Sequence, residues 1–141
     1  MGAVSSKLGQ KFEKDFETLL KKIGLKYTKS YSVMTITGLR RIDFVIHSRW
    51  GKVIAECKYR DPSGTNAAKR DAATGLFTTM YEYRHLFPAD MLIVVVNDRA
   101  ILEPGNQRYI SLLASIGVEV LWYDAPGKPN QILVRKLQEL K

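Results

Sequence analysis

Asp43, Glu56 and Lys58 are two carboxylates and an ammonium that a β-hairpin would bring onto one patch. They fall in two short β-rich runs, 41–47 and 52–59, joined by Ser48-Arg49-Trp50-Gly51, a short connection with glycine near its end. Residues two apart on a strand share a face, so Glu56 and Lys58 point one way and Ala55 and Cys57 the other. Pairing the runs symmetrically about the loop sets Val45 opposite Ile54 and Asp43 opposite Glu56, with Cβ atoms about 5 Å apart. Neighbouring carboxylates repel, and partial burial makes the repulsion costlier. A divalent cation relieves it: Mg²⁺ is commonly held by one or two carboxylates, with waters and phosphate oxygens completing its shell. A lysine beside such an ion can orient a water or stabilise charge developing on a phosphate. These are the parts for hydrolysing a phosphodiester. The same residues would also make a solvated ion pair on a surface hairpin; the apolar residues on both sides of Glu56 favour the buried arrangement.

The elements around this patch follow from periodicity. Leu8, Phe12, Phe16, Leu19, Leu20 and Ile23 recur at helical spacing and Gly24 ends the series, which predicts a helix over 5–23 with Ser5 or Ser6 as N-cap. Glu13 borders the apolar stripe on the flank shared with Leu20, where a carboxylate reaches the sheet beneath; an ordinary boundary glutamate fits that position equally well. Glu17 is turned roughly 40° further out, toward solvent. A strand is expected over Lys26–Thr35, a loop at Asp61-Pro62-Ser63-Gly64, a long helix over Asn66–Leu86 capped by Thr65 or Asn66, and a doubly covered strand at Met91–Val96. Pro104-Gly105-Asn106 should open a further helix ending at Gly117, followed by a strand at 118–123 and a last short strand at 132–137. Through residue 123 the order is α-β-β-β-α-β-α-β. An antiparallel hairpin near its front argues for an α/β fold with a mixed sheet flanked by helices, against a doubly wound nucleotide fold.

Length and composition bound the rest. A chain of 141 residues, 45% hydrophobic and 26% charged, suits one globular domain over 1–141. The longest strongly apolar run, Met91–Val96, is far short of a membrane span, and the polar, basic stretch from Met1 to Lys14 gives the expectation of no signal peptide. Cys57 is the single cysteine, which excludes an internal disulfide or a Cys-cluster zinc site. The expectation is a soluble, cytoplasmic protein without a membrane partner. Its net charge of +8 is unevenly placed: residues 1–60 carry 13 Lys and Arg against 5 Asp and Glu, and residues 61–141 carry 9 against 9. A basic half of this kind attracts a polyanion such as DNA, or serves simply as a solubilising surface.

Taken together, Gly9-Gln10-Lys11-Phe12-Glu13, Gly24, Arg41-Ile42-Asp43 and Glu56-Cys57-Lys58 resemble the PD-(D/E)XK nuclease superfamily. That is the restriction-endonuclease-like fold of many restriction enzymes, Holliday-junction resolvases and Mrr-type endonucleases. The spacings from Gly9 to Glu13 and from Glu13 to Gly24 are similar to the resolvase and Mrr branches, and Gly64-Thr65 followed by Lys69 is similar to a turn and helix lysine in some members. By motif the likeness covers about residues 5–75. It implies that Asp43 and Glu56 bind Mg²⁺ with the backbone carbonyl of Cys57, and that Mn²⁺ substitutes. It also implies that Glu13 binds or positions a metal-bound water, that Lys58 assists the attacking water, and that two copies form a homodimer. Ile42 stands where the family's proline would be, and the basic pair Arg40-Arg41 is an addition.

Further positive residues are candidates for DNA contact: Arg40, Arg41, Arg49 and Lys52 around the hairpin, and Lys69 and Arg70 in the first turn of the second helix. Trp50, flanked by cations, suits base stacking or folding back on its own sheet. His47 would share the face of Asp43. Phe77, Tyr81, Tyr83 and Phe87 read as core or as a dimer face. The expected function is Mg²⁺-dependent endonucleolytic cutting of DNA, restriction-like or selective for junctions and branches. The alternatives are a catalytically inactive DNA-binding subunit with a nuclease fold, or an RNA nuclease.

Overall fold

A computed structural model describes residues 3–103 and 108–141, with side chains from Lys7 onward. Helix α1 (Ala3–Ile23) leads into strands β1 (Lys26–Thr35), β2 (Gly38–Ser48) and β3 (Gly51–Lys58). Helix α2 (Asn66–Leu86), strand β4 (Met91–Val96), a 3₁₀ turn (Arg99–Leu102), helix α3 (Arg108–Ser115), strand β5 (Val118–Ala125), strand β6 (Lys128–Pro129) and helix α4 (Gln131–Leu140) follow. The six strands lie in sequence order in one mixed sheet, antiparallel from β1 to β3, parallel from β3 to β5, with β6 antiparallel to β5. Among the described residues no helix is long and apolar enough to cross a membrane.

The two faces of the sheet bury separate cores. On one, Phe12, Phe16 and Leu20 of α1 and Leu133, Leu137 and Leu140 of α4 pack on Phe44, Ala55, Ile93 and Leu121. On the other, Ala73, Leu76, Met80 and Tyr83 of α2 and Leu113 of α3 pack on Ile54, Leu92 and Val94. Helices on both faces explain why β4 is apolar throughout. The helix ends have local causes: Gly24 turns α1 off at φ 90°, and the Thr65 hydroxyl accepts the Ala68 N–H at 3.1 Å to start α2.

Three expectations change, and a fourth falls outside the described residues. Residues 132–137 belong to helix α4, because Leu133, Leu137 and Leu140 are the buried positions at helical spacing and Asn130 caps the Ile132 N–H. Helix α1 begins at Ala3, so Ser5 and Ser6 lie inside it and neither is the N-cap. Glu17 does not face open solvent: its carboxylate accepts the Tyr27 hydroxyl at 2.6 Å and pairs with Lys29 at 3.3 Å, fastening α1 to β1. The proposed helix start at Pro104-Gly105-Asn106 lies outside the described residues, and α3 is described from Arg108. Gly117 does turn the chain after α3, at φ 74°.

Candidate active site

The hairpin pairs in the symmetric register, with Val45 facing Ile54 and Phe44 facing Ala55. One position further on, backbone pairing gives way to side chains. The Asp43 N–H donates to Glu56 Oε1 at 3.1 Å, and the Cys57 N–H donates to Asp43 Oδ2 at 2.9 Å. Each carboxylate therefore satisfies the other strand's backbone where β2 and β3 part. Beyond this point β3 continues beside β4, with Glu56 facing Val94 and Lys58 facing Val96.

Asp43 also stands where β2 changes the face it presents. Strict alternation would put Ile42 and Phe44 on one side. Instead Phe44 packs with α1, and Ile42 packs with Tyr83 on the α2 side. The neighbouring strand does the same: Tyr27 packs on the α1 side and Val33 on the α2 side. Between them Ser30, which falls opposite Asp43 in the β1–β2 register, takes φ 58°, an uncommon conformation for a residue with a Cβ. This half-turn lets one aspartate interact with groups from both layers.

From α1 comes Glu13. Arg41 bridges it to the sheet, its Nη2 lying 3.8 Å from Glu13 Oε1 and 3.7 Å from Asp43 Oδ1. From α2 comes Tyr83, whose ring is buried and whose hydroxyl donates to the Arg41 carbonyl at 3.3 Å beside the Glu56 carboxylate. Burial, and then the charge of Asp43, raise the pKa of Glu56 well above the usual glutamate range. The same two causes raise Glu13, opposed by Arg41. Burial pushes the Cys57 thiol up, reinforced by the charges of Asp43, Glu56 and Glu13. Lys58 is lowered by burial and by Arg60, against the pull of Glu56 and Asp43. Among the described residues its ammonium has no carboxylate at ion-pair distance, so it is available to a ligand.

Glu13, Asp43, Glu56 and Lys58 thus gather at one end of the sheet. The DNA-contact candidates divide. Arg41 is in the acid cluster itself, and Lys69 and the exposed Arg70 start α2 at the same end, Lys69 close enough to lower the pKa of Asp61 after that residue's bonds to Ser63. Arg40 is tied to Glu82 at 2.9 Å. Arg49 covers the exposed Trp50 ring at 4.6 Å, and Lys52 reaches Asp90 at 3.8 Å. These last three sit at or beside the opposite end of β3, whose first residue, Gly51, is about 17 Å from Glu56 by strand rise. Trp50 does not fold back on the sheet, and His47 meets Thr28 at 3.3 Å, away from the acids. Tyr83 and the acid-bridging position of Arg41 were not legible in the sequence, where Tyr83 reads only as one aromatic of a helical series.

Neither any protein-family model nor any curated protein matches this sequence. Solved structures do. An XisH family protein from Nostoc punctiforme superposes with a TM-score of 0.63 at 16% identity, over 84% of this chain and 94% of that one. An fdxN element excision controlling factor protein from Anabaena variabilis gives 0.62 at 17%, over 85% and 95%. AF1548, a protein of unknown function, gives 0.56 at 13% over 89% of this chain, which spans 65% of that protein's length. At these identities the likeness is one of fold: a mixed α/β sheet flanked by helices.

Proposed function

We propose that this chain is a metal-dependent endonuclease that hydrolyses DNA phosphodiester bonds at the Glu13–Asp43–Glu56–Lys58 site. The observation that carries the reading is the exchange of backbone bonds by Asp43 and Glu56 where β2 and β3 part. Two buried carboxylates are held side by side, at the cost of mutual repulsion, next to an uncommitted lysine.

The donor set fits a hard divalent cation such as Mg²⁺. Among the described residues no group of three His, Cys, Asp or Glu side chains is arranged to hold an ion alone. Asp43 and Glu56 would hold it, with the Cys57 carbonyl, leaving room for waters and phosphate oxygens as Mg²⁺ prefers. Bound there, the ion supplies Lewis-acid stabilisation of charge on the phosphate. The chain's own residues do the rest. Lys58, its pKa lowered by burial, holds a water by its ammonium and offsets charge gathering on the phosphate. Glu13 offers an acceptor for that water's own proton, and its raised pKa suits it to taking it. Arg41 turns from the acids to a phosphate, and Lys69 and Arg70 seat the flanking backbone. Two copies related by a two-fold axis would cut both strands.

Supercoiled plasmid and a four-way junction, each incubated with Mg²⁺, Mn²⁺ or EDTA beside Glu56→Ala, test this. The reading requires cutting that needs metal and vanishes in the variant, and the better substrate separates branch-selective from general cutting. A second reading is a DNA-binding subunit that controls excision without cutting. It is favoured by Arg41 already lying between Glu13 and Asp43, and by a similar structure being named an excision controlling factor. Salt-sensitive binding without cutting would select it.

A further inference from the structure

We propose that the cleft between α1 and the carboxyl ends of β3, β4 and β5 binds an unpaired base of the strand whose backbone lies at the acid site. This rests on the endonuclease reading for what the neighbouring site holds, and on the cleft's own chemistry for the base.

The cleft encloses about 310 Å³, at the small end for ligand pockets. It lies beyond the carboxyl ends of the parallel strands, a recurrent ligand position in α/β sheets. Its walls are aromatic. Phe12 meets Tyr123 edge-on at 5.1 Å and Tyr59 at 6.3 Å, and Tyr59 is only half-buried, leaving part of its ring for a flat partner. Tyr123 lines the cleft, and its buried hydroxyl has no hydrogen-bond partner among the described residues. The polar rim carries three carboxylates, Asp15, Asp98 and Asp124, together with Lys11 and Asn97. Asp98 already caps the Ala100 N–H at 2.8 Å, and Asp124 accepts from Asn130 at 3.0 Å. Among the described residues Asp15 has no hydrogen bond or ion pair.

Aromatic walls with carboxylate acceptors suit a planar heterocycle bearing amino groups, and three carboxylates against the one lysine among its lining residues favour such a group over a phosphate. Adjacency selects the source. Phe12 precedes Glu13 in α1, and Tyr59 follows Lys58, the last residue of β3, so the cleft adjoins the helix and the strand end that carry Glu13, Glu56 and Lys58. A strand with one phosphate at Lys58 presents a neighbouring base to Tyr59. Cytosine and thymine separate the recognition from simple stacking, because only cytosine offers an amino donor to Asp15.

The test is fluorescence anisotropy of labelled single-stranded oligo-dC and oligo-dT with the full chain in EDTA, for wild type, Tyr59→Ala and Asp15→Asn, with thermal melts to show that each variant folds. The expected result is tighter binding of oligo-dC by wild type. Tyr59→Ala weakens both strands about tenfold or more with an unchanged salt slope, and Asp15→Asn removes the preference for dC. The proposal is overturned if neither variant changes affinity or preference, if wild type binds neither strand, or if free dCMP competes as strongly as the strand. Plasmid nicking by the same proteins keeps the two readings apart. Metal-dependent nicking with base binding indifferent to Tyr59 and Asp15 overturns the cleft alone. Variant-sensitive base binding without nicking upholds the cleft and overturns the endonuclease.

Discussion

Replacing Glu56 with glutamine should make the metal-free protein more stable at neutral pH. Glu56 is 9% exposed, and burial and the neighbouring charge of Asp43 both raise its pKa. A carboxyl whose pKa is higher folded than unfolded binds more protons in the folded state, so stability falls as pH rises from the unfolded value toward the folded one. Each unit of that difference corresponds to about 1.4 kcal/mol. Glutamine removes the charge and keeps an oxygen for the Asp43 N–H that Glu56 Oε1 now accepts. Below the ordinary glutamate range the two proteins should melt together. By pH 8 Glu56→Gln should be the more stable protein, by about 1.4 kcal/mol, or about 4–6 °C in Tm for a chain of this size, for each pH unit by which the folded pKa of Glu56 exceeds the unfolded one. Mg²⁺ should raise the wild-type Tm and narrow the gap, since an ion that binds only the folded site stabilises it. Thermal melts followed by circular dichroism in EDTA from about pH 4 to about pH 8 measure this. A gap that does not change with pH, or a variant less stable at pH 8, would refute the argument from buried, repelling carboxylates.

Two further outcomes follow from the geometry. Trp50→Ala removes the ring beneath Arg49 at the far end of β3 and should leave both DNA affinity by anisotropy and any nicking rate within about twofold of wild type, since the site is about 17 Å away. Leu137→Ala should lower stability by about 2–5 kcal/mol in urea denaturation, because its side chain is fully buried between α4 and the sheet; were 132–137 a peripheral strand, the loss would be much smaller.

Much of this architecture is written in local pattern. The stripe of α1, the symmetric hairpin and the apolar run of β4 each depend on near neighbours, so periodicity places them and sets Asp43 toward Glu56. Residues 132–137 misread as strand because Ile132, Leu133, Val134 and Leu137 fit either period over so short a run; the Asn130 cap and the buried Leu140 decide it. The face change at Ser30 and Asp43 has no sequence mark, since neither residue is glycine or proline and the turn belongs to two paired strands. That change is why simple alternation misplaces Ile42 and cannot reveal Tyr83, contributed by a helix forty residues on. Arg40 and Lys52 look equally free in sequence, and only tertiary placement shows that Glu82 and Asp90 engage them. The pull of Glu17 on Tyr27 was hidden for the same reason.

The most direct measurement is the initial rate of plasmid nicking by wild type, Glu56→Gln and Lys58→Ala with Mg²⁺ and with EDTA. Glu56→Gln is the informative variant, because it should fold more stably and still fail to cut. The account predicts metal-dependent nicking by wild type and a loss of at least about 100-fold in each variant. Equal rates in all three proteins, or nicking undiminished by EDTA, would contradict a site built on Asp43, Glu56 and Lys58.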